Sequence, residues 1–72
     1  MPYEVITPHV VILLHFERQK GRGYAHVSRV VSRTHQQDSN DPIADECRLW
    51  LGESLSTVYR RCHSRGWKMV RV

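Results

Sequence analysis

Cysteine is scarce in this chain of 72 residues, with only Cys47 and Cys62 present, and two thiols do not make a disulfide framework. The apolar spacing described below puts both on one helix, about 22 Å apart, too far to bridge. Reduced thiols and a cytoplasmic setting are therefore expected. Long apolar runs are missing as well. Val10 to Leu14 is far shorter than the roughly 20 residues that span a bilayer, and the N-terminus lacks the basic segment and apolar stretch of a signal peptide. There is no repeat, linker or low-complexity tract, so one domain over residues 1–72 is expected. A chain this short buries only about 60% of the surface its unfolded form exposes, which allows one thin core and leaves little room for a cleft.

Acidic residues are also in the minority. Seven acids face nine arginines and two lysines, a formal charge of +4, which points to an anionic partner or a charged interface. The preference for arginine matters because a planar guanidinium forks onto carboxylates and phosphates and stacks on rings.

Two kinds of periodicity fill the chain. Tyr3 to Arg18 is rich in β-branched and aromatic residues, with Val10, Ile12, Leu14 and Phe16 alternating against His9, Val11, Leu13 and His15. Pro8 restricts the segment before it to an edge or a bulge. Lys20-Gly21-Arg22-Gly23 reads as a turn, and Tyr24 to Thr34 resumes the alternation, so a long β-hairpin is expected. A tight loop at Gly21 and Arg22 pairs Phe16 with Val27 and Ile12 with Val31. One face then carries Val10, Ile12, Leu14, Phe16, Val27 and Val31 toward the core, with Arg29 and Arg33 bending their charges outward past it. The other face carries Val11, Leu13 and Val30 within a ring of His9, His15, Glu17, His26, Ser28 and Ser32.

After a polar loop from Gln36, the spacing changes to three and four. Ile43, Cys47, Trp50, Leu51, Leu55, Val58 and Cys62 mark one face of a helix. Asp41-Pro42 suits its start and Gly66 its stop. Gly52 costs roughly 1 kcal/mol in a helix interior and is a candidate break. A rival reading makes Glu46 to Leu51 a short strand and starts the helix near Ser54. Trp67 to Val72 reads as a closing strand. The expected fold is α+β (ββαβ): a hairpin and a C-terminal strand forming a sheet, with one amphipathic helix packed across it.

Candidate chemistry is sparse. Five histidines and two cysteines are present, but Cys62 and His63 are adjacent and the other histidines are scattered, without the paired spacing of a zinc site. Neighbours on a helix point about 100° apart, so Cys62 and His63 make a poor nucleophile and base, and a core-facing cysteine explains Cys62 more simply. No cofactor motif is found, and no enzymatic role is expected. Trp50 and Trp67 read as core, with an interface anchor as the alternative.

The segment Lys20-Gly21-Arg22-Gly23-Tyr24-Ala25-His26-Val27 resembles the basic-Gly-aromatic-Gly-aromatic stretch of the RNA-recognition motif, with Arg22 where the first ring would be. That resemblance implies Tyr24 as a stacking ring, and apart from it Arg18, Lys20 and Arg22 can grip phosphate without reading sequence. The plainer reading is a flexible basic hairpin tip. A wider set, Arg18, Lys20, Arg22, Arg60, Arg61, Arg65, Lys68 and Arg71, is expected to converge where hairpin tip, helix end and last strand meet. Exchanging Arg60, Arg61 and Arg65 for glutamate is expected to weaken partner binding without disturbing the fold.

Glu53-Ser54-Leu55 opening a helix, and Gly66-Trp67-Lys68-Met69-Val70-Arg71-Val72 closing the chain, resemble the C-terminal part of small T7-type phage inhibitors of host RNA polymerase. That family is acidic and this chain is basic, so the resemblance implies the role of a small host-directed inhibitor and not a shared contact surface. The expected function is a non-enzymatic, protein-binding modulator of a larger machine, such as a phage-encoded regulator of host transcription acting by occlusion. The alternatives are nucleic-acid binding through the same basic residues, an anti-CRISPR-type inhibitor, and a homodimer formed through the exposed hairpin face.

Overall fold

The computed structural model describes residues 1–18, 20–21, 23–33 and 42–72. The strands are β1 (Pro2–Ile6), β2 (Val11–Arg18), β3 (Ala25–Ser32) and β4 (Lys68–Arg71), and the helices are α1 (Pro42–Arg48) and α2 (Leu55–Ser64). The strands form one antiparallel sheet in the order β3-β2-β1-β4, with the helices packed on one of its faces. The α+β class expected from the two periodicities is the one found.

The apolar stretch from Tyr3 to Arg18 divides into two strands rather than running on as one. Proline has no N–H for a sheet ladder, and Thr7 closes the turn around Pro8. The Thr7 amide donates to the Val10 carbonyl at 3.0 Å, and its hydroxyl accepts from the amides of His9 and Val10 at 3.2 and 3.0 Å. The strand before Pro8 thus lies inside the sheet, between β2 and β4.

The hairpin keeps the expected register near its tip, where Phe16 pairs with Val27 and Arg18 with Ala25. A β-bulge then intervenes. Val27 pairs with Phe16 and Arg29 with His15, so Ser28 is the extra residue. Its hydroxyl donates to the His15 carbonyl at 3.2 Å. Past the bulge Ile12 pairs with Ser32 rather than Val31, and Leu14 with Val30. Two expectations change as a result: Val30 packs against the core instead of Val31, and Arg29 and Arg33 stand on the opposite face without having to bend past the core.

The expected long helix is two helices. Residues 49–54 break it, with Gly52 at φ +88°, a left-handed conformation that other residues resist. Glu46 to Arg48 are helical, which rules out the rival strand. Ser54 starts α2 from extended backbone, φ −72° and ψ 155°, its hydroxyl accepting from the Thr57 amide. At the other end the Trp67 amide donates to the Cys62 carbonyl and the Gly66 amide to His63, with Gly66 at φ +75°. This is the paired closure that glycine after a helix permits. The expected cap at Asp41 lies outside the described residues.

The linker between the helices also protects the sheet. The Gly52 amide donates to the Val27 carbonyl and the Val27 amide to the Glu53 carbonyl, both at 2.9 Å. These bonds cover the outer edge of β3, which would otherwise offer unpaired groups to another chain.

The core gathers Val5, Val10, Ile12, Leu14, Phe16, Ala25, Val27, Ala44, Cys47, Trp50, Val58 and Cys62. The two cysteines therefore sit on different helices, not on one, and both are free and buried. Leu51, expected on the apolar helix face, lies in the linker and is half exposed.

Candidate functional site

Nine residues were singled out as a basic binding patch, and the sheet register divides them. Arg18, Lys20 and Tyr24 lie at the hairpin tip and are exposed, while Arg22 lies outside the described residues. Lys68 pairs with Ile6, which pairs with Val11. Val11 is at the end of β2 away from Arg18, seven residues or about 23 Å distant. Arg65 closes α2 just before β4 and belongs to that far end. Lys68 and Arg65 thus lie away from the hairpin tip, whereas Arg61 shares a groove with Tyr24 of the tip.

Arg61 and Arg65 have partners within the fold. Arg65 is ion-paired with Glu46 of α1, and Arg61 with Glu53 of the linker. The Arg65 guanidinium lies 5.5 Å from the centre of the Trp50 ring and 5.2 Å from that of Trp67, with Arg61 5.9 Å from Trp50. The indoles are 6.4 Å apart and inclined at 38°. These planar cations stack on rings as arginine does and lysine does less well, fastening α2 to α1 and to β4. Trp50 is buried and Trp67 half-buried, in keeping with core roles. Reversing Arg61 or Arg65 would therefore disturb the fold, contrary to the expectation for the triple exchange. Arg60 is exposed and, among the described residues, is the member of that trio without an ion pair or ring contact.

Around Arg60 the surface is concave. Tyr3, Leu55, Ser56, Tyr59 and Arg60 line an apolar groove of about 450 Å³, and Arg71 pairs with Tyr3 at its margin. On the other flank of α2, Tyr24, Ser54, Thr57 and Arg61 help line a more polar groove of about 430 Å³.

The least expected feature is the second face of the sheet, which neither of the described helices covers. Alternation places Ile6 of β1, Val11 and Leu13 of β2, Val31 of β3 and Val70 of β4 on it. Leu13 pairs with Val31, Ile6 with Val11, and Glu4 lies between Leu13 and Val70. Ile6, Val11, Leu13 and Val31 thus adjoin on three strands, and Val70 of β4 is diagonal to Ile6 and separated from Leu13 by Glu4. Ile6 and Val70 are each 37% exposed, and Val11, Leu13 and Val31 are half-buried. Cations stand at both margins: Arg29 and Arg33 on the β3 side, Lys68 on the β4 side. Glu4 is drawn to Arg33, 3.3 Å away.

Val11 and Leu13 were legible as an apolar pair. Ile6 and Val70 were not, because their strands had not been placed beside β2, and Val31 was displaced from the list by the bulge. One signal did exist: Val10-Val11-Ile12-Leu13-Leu14 is apolar on both parities, the pattern of a strand covered on both faces.

The nucleophile considered in the sequence is poorly placed for chemistry. Cys62 is 1% exposed, and burial pushes its thiol up to about 11 from 9.0, against a smaller lowering by Arg65. His63 beside it is exposed. Among the described residues no group of three or more His, Cys, Asp or Glu is placed to hold a metal ion, and no helix is long and apolar enough to cross a membrane.

Comparison with protein families, curated proteins and solved structures gives no match to the chain. The residues behind the likeness to phage polymerase inhibitors have local structural duties: Ser54 caps α2, Gly66 ends it, and Lys68–Arg71 form β4.

Proposed function

We propose that this protein is a non-enzymatic binding module that docks through the uncovered face of its sheet onto a larger cytoplasmic assembly and acts by occlusion. The carrying observation is the group of Ile6, Val11, Leu13, Val31 and Val70 on a face that neither of the described helices covers. A contiguous apolar patch within a polar rim is the usual mark of an interaction surface. A strand apolar on both parities gains further stabilisation when its second face is covered as well. The buried, high-pKa thiol of Cys62 favours binding over covalent catalysis.

A phage-type regulator of host RNA polymerase is the specific form of this reading. It is supported by the helix-then-strand likeness of residues 53–72 and by the small size of the chain, and an anti-CRISPR-type inhibitor would use the same surface logic. Tagged protein in bacterial lysate, treated with nuclease, tests it. One large assembly should be retained by the native chain and lost from Leu13→Glu once its Tm has verified that this variant is folded. Retention that ignores this substitution refutes the sheet face.

Nucleic-acid binding is the second reading, favoured by the exposed Arg18, Lys20 and Tyr24 at the hairpin tip. Tyr24 would stack on a base and the cations would track phosphates. Its signature is affinity falling steeply with salt and insensitive to Leu13→Glu.

A further inference from the structure

The two outer edges of the sheet are treated differently. Along β3 the linker bonds to the amide and carbonyl of Val27, whereas among the described residues nothing pairs with the outer edge of β4. The Val72 amide donates to the Pro2 carbonyl at 3.0 Å, which continues the register of β1 and β4. Opposite pairs in an antiparallel ladder alternate between bonded and non-bonded. Val72, Val70 and Lys68 therefore bond inward to β1, and Met69 and Arg71 turn their amides and carbonyls outward.

Side chains at this edge alternate as well. Met69 and Arg71 stand opposite Val5 and Tyr3 and share the helix side with them, while Lys68, Val70 and Val72 lie on the open side. On the helix side two grooves adjoin the edge. Tyr59, His63, Trp67 and Met69 help line one of about 240 Å³, and the apolar groove of Tyr3, Leu55 and Tyr59 lies beside Arg71. β4 carries Lys68 and Arg71 and no acid, and neither cation has an ion pair among the described residues. Arg60 is exposed in the apolar groove.

We infer that β4 is a docking edge for an extended, acidic segment of a partner protein, which adds to the sheet as a further antiparallel strand. The backbone calls for a strand, because another strand presents N–H and C=O groups at the spacing of Met69 and Arg71. Antiparallel addition follows the rest of the sheet and is the more stable pairing per residue. Side chains opposite Met69 and Arg71 then point to the helix side and meet the two grooves, and carboxylates of the segment meet Lys68, Arg71 and Arg60. A nucleic-acid backbone has no such alternation of donors and acceptors. A second copy of β4 would line two cations from each chain along one seam, a like-charge contact that opposes pairing. The edge is a contact separate from the open face.

The probe is the end-blocked peptide Glu-Glu-Leu-Thr-Leu-Glu-Glu, with Lys-Lys-Leu-Thr-Leu-Lys-Lys as its counterpart. Each is titrated into isotope-labelled protein, with amide shifts and hydrogen exchange read by NMR and self-association by sedimentation. The glutamate peptide should bind, shift Met69, Val70 and Arg71, and slow exchange of the Met69 and Arg71 amides. The lysine peptide should bind at least about tenfold more weakly. N-methylation of the leucines, whose amides face β4 in this register, should abolish binding, and N-methylation of the threonine should not. Arg71→Pro removes an outward amide without breaking the ladder to β1, and Arg71→Gln removes the charge alone. With each variant verified as folded by its Tm, Arg71→Pro should bind at least about tenfold more weakly than Arg71→Gln. Binding of neither peptide, equal binding of both, shifts confined to the open face, equal effects of the two N-methylations, or a dimer that Arg71→Pro dissolves each overturn the acidic strand as occupant. The open face is tested separately, by Leu13→Glu.

Discussion

Arg65 and Arg60 lie five residues apart in the sequence and have opposite duties. Arg65 sits between two indoles and against Glu46, while Arg60 projects into solvent at the rim of a groove. Arg65→Ala loses a partly exposed ion pair and two cation–ring contacts, together about 1–2 kcal/mol, which lowers Tm by several degrees in a domain this small. Arg60→Glu should leave Tm within about a degree, since surface exchanges away from such features are close to neutral. Calorimetry on the two variants checks both. Nothing in the spacing of Arg60, Arg61 and Arg65 separated them, because the partners Glu46 and Glu53 reach them through tertiary contacts. Cys62 makes a second test at this scale. Its pKa is raised on folding, so the folded chain holds the proton more tightly. The resulting stability is present in full below pH 9 and is lost as pH rises from 9.0 toward 11. Native protein should therefore show a fall in stability over that window that Cys62→Ala lacks. Cys62 should also react far more slowly with a thiol reagent at pH 8 in the folded chain than in urea.

The elements were more legible than their joints. Alternation located the strands, and the three-and-four spacing located the helical region. That spacing ran through the break at Gly52 because Ile43, Cys47 and Trp50 on one side and Leu55, Val58 and Cys62 on the other all pack toward the same sheet. The periodicity reports the common core and not the continuity of the backbone. The bulge at Ser28 left no mark, since serine is ordinary in either register, and it moved Val30, Val31, Arg29 and Arg33 to new faces. Ser54, by contrast, is a serine just before a periodic run, and its cap is measurable. Ser54→Ala should cost about 1 kcal/mol, while Ser56→Ala on the exposed side of the same turn should cost little; urea titration of both distinguishes them.

At the scale of the whole molecule, helices shield one face of the sheet and an apolar strip remains on the other. The basic residues that outnumber the acids are spread over the hairpin tip, the α2 groove and the margins of that strip, with Arg61 and Arg65 committed to the fold. Their dispersal weakens the case for a single arginine patch and directs attention to the strip, which composition alone could not show. The decisive comparison is the affinity of the retained assembly for three chains, each confirmed folded by its unchanged Tm: native, Leu13→Glu on the open face, and Arg60→Glu on the helix side. Docking through the sheet predicts a loss of about 2 kcal/mol or more, at least thirtyfold, for Leu13→Glu and little change for Arg60→Glu. Native affinity in Leu13→Glu with a loss in Arg60→Glu would contradict it and transfer the binding site to the groove beside α2.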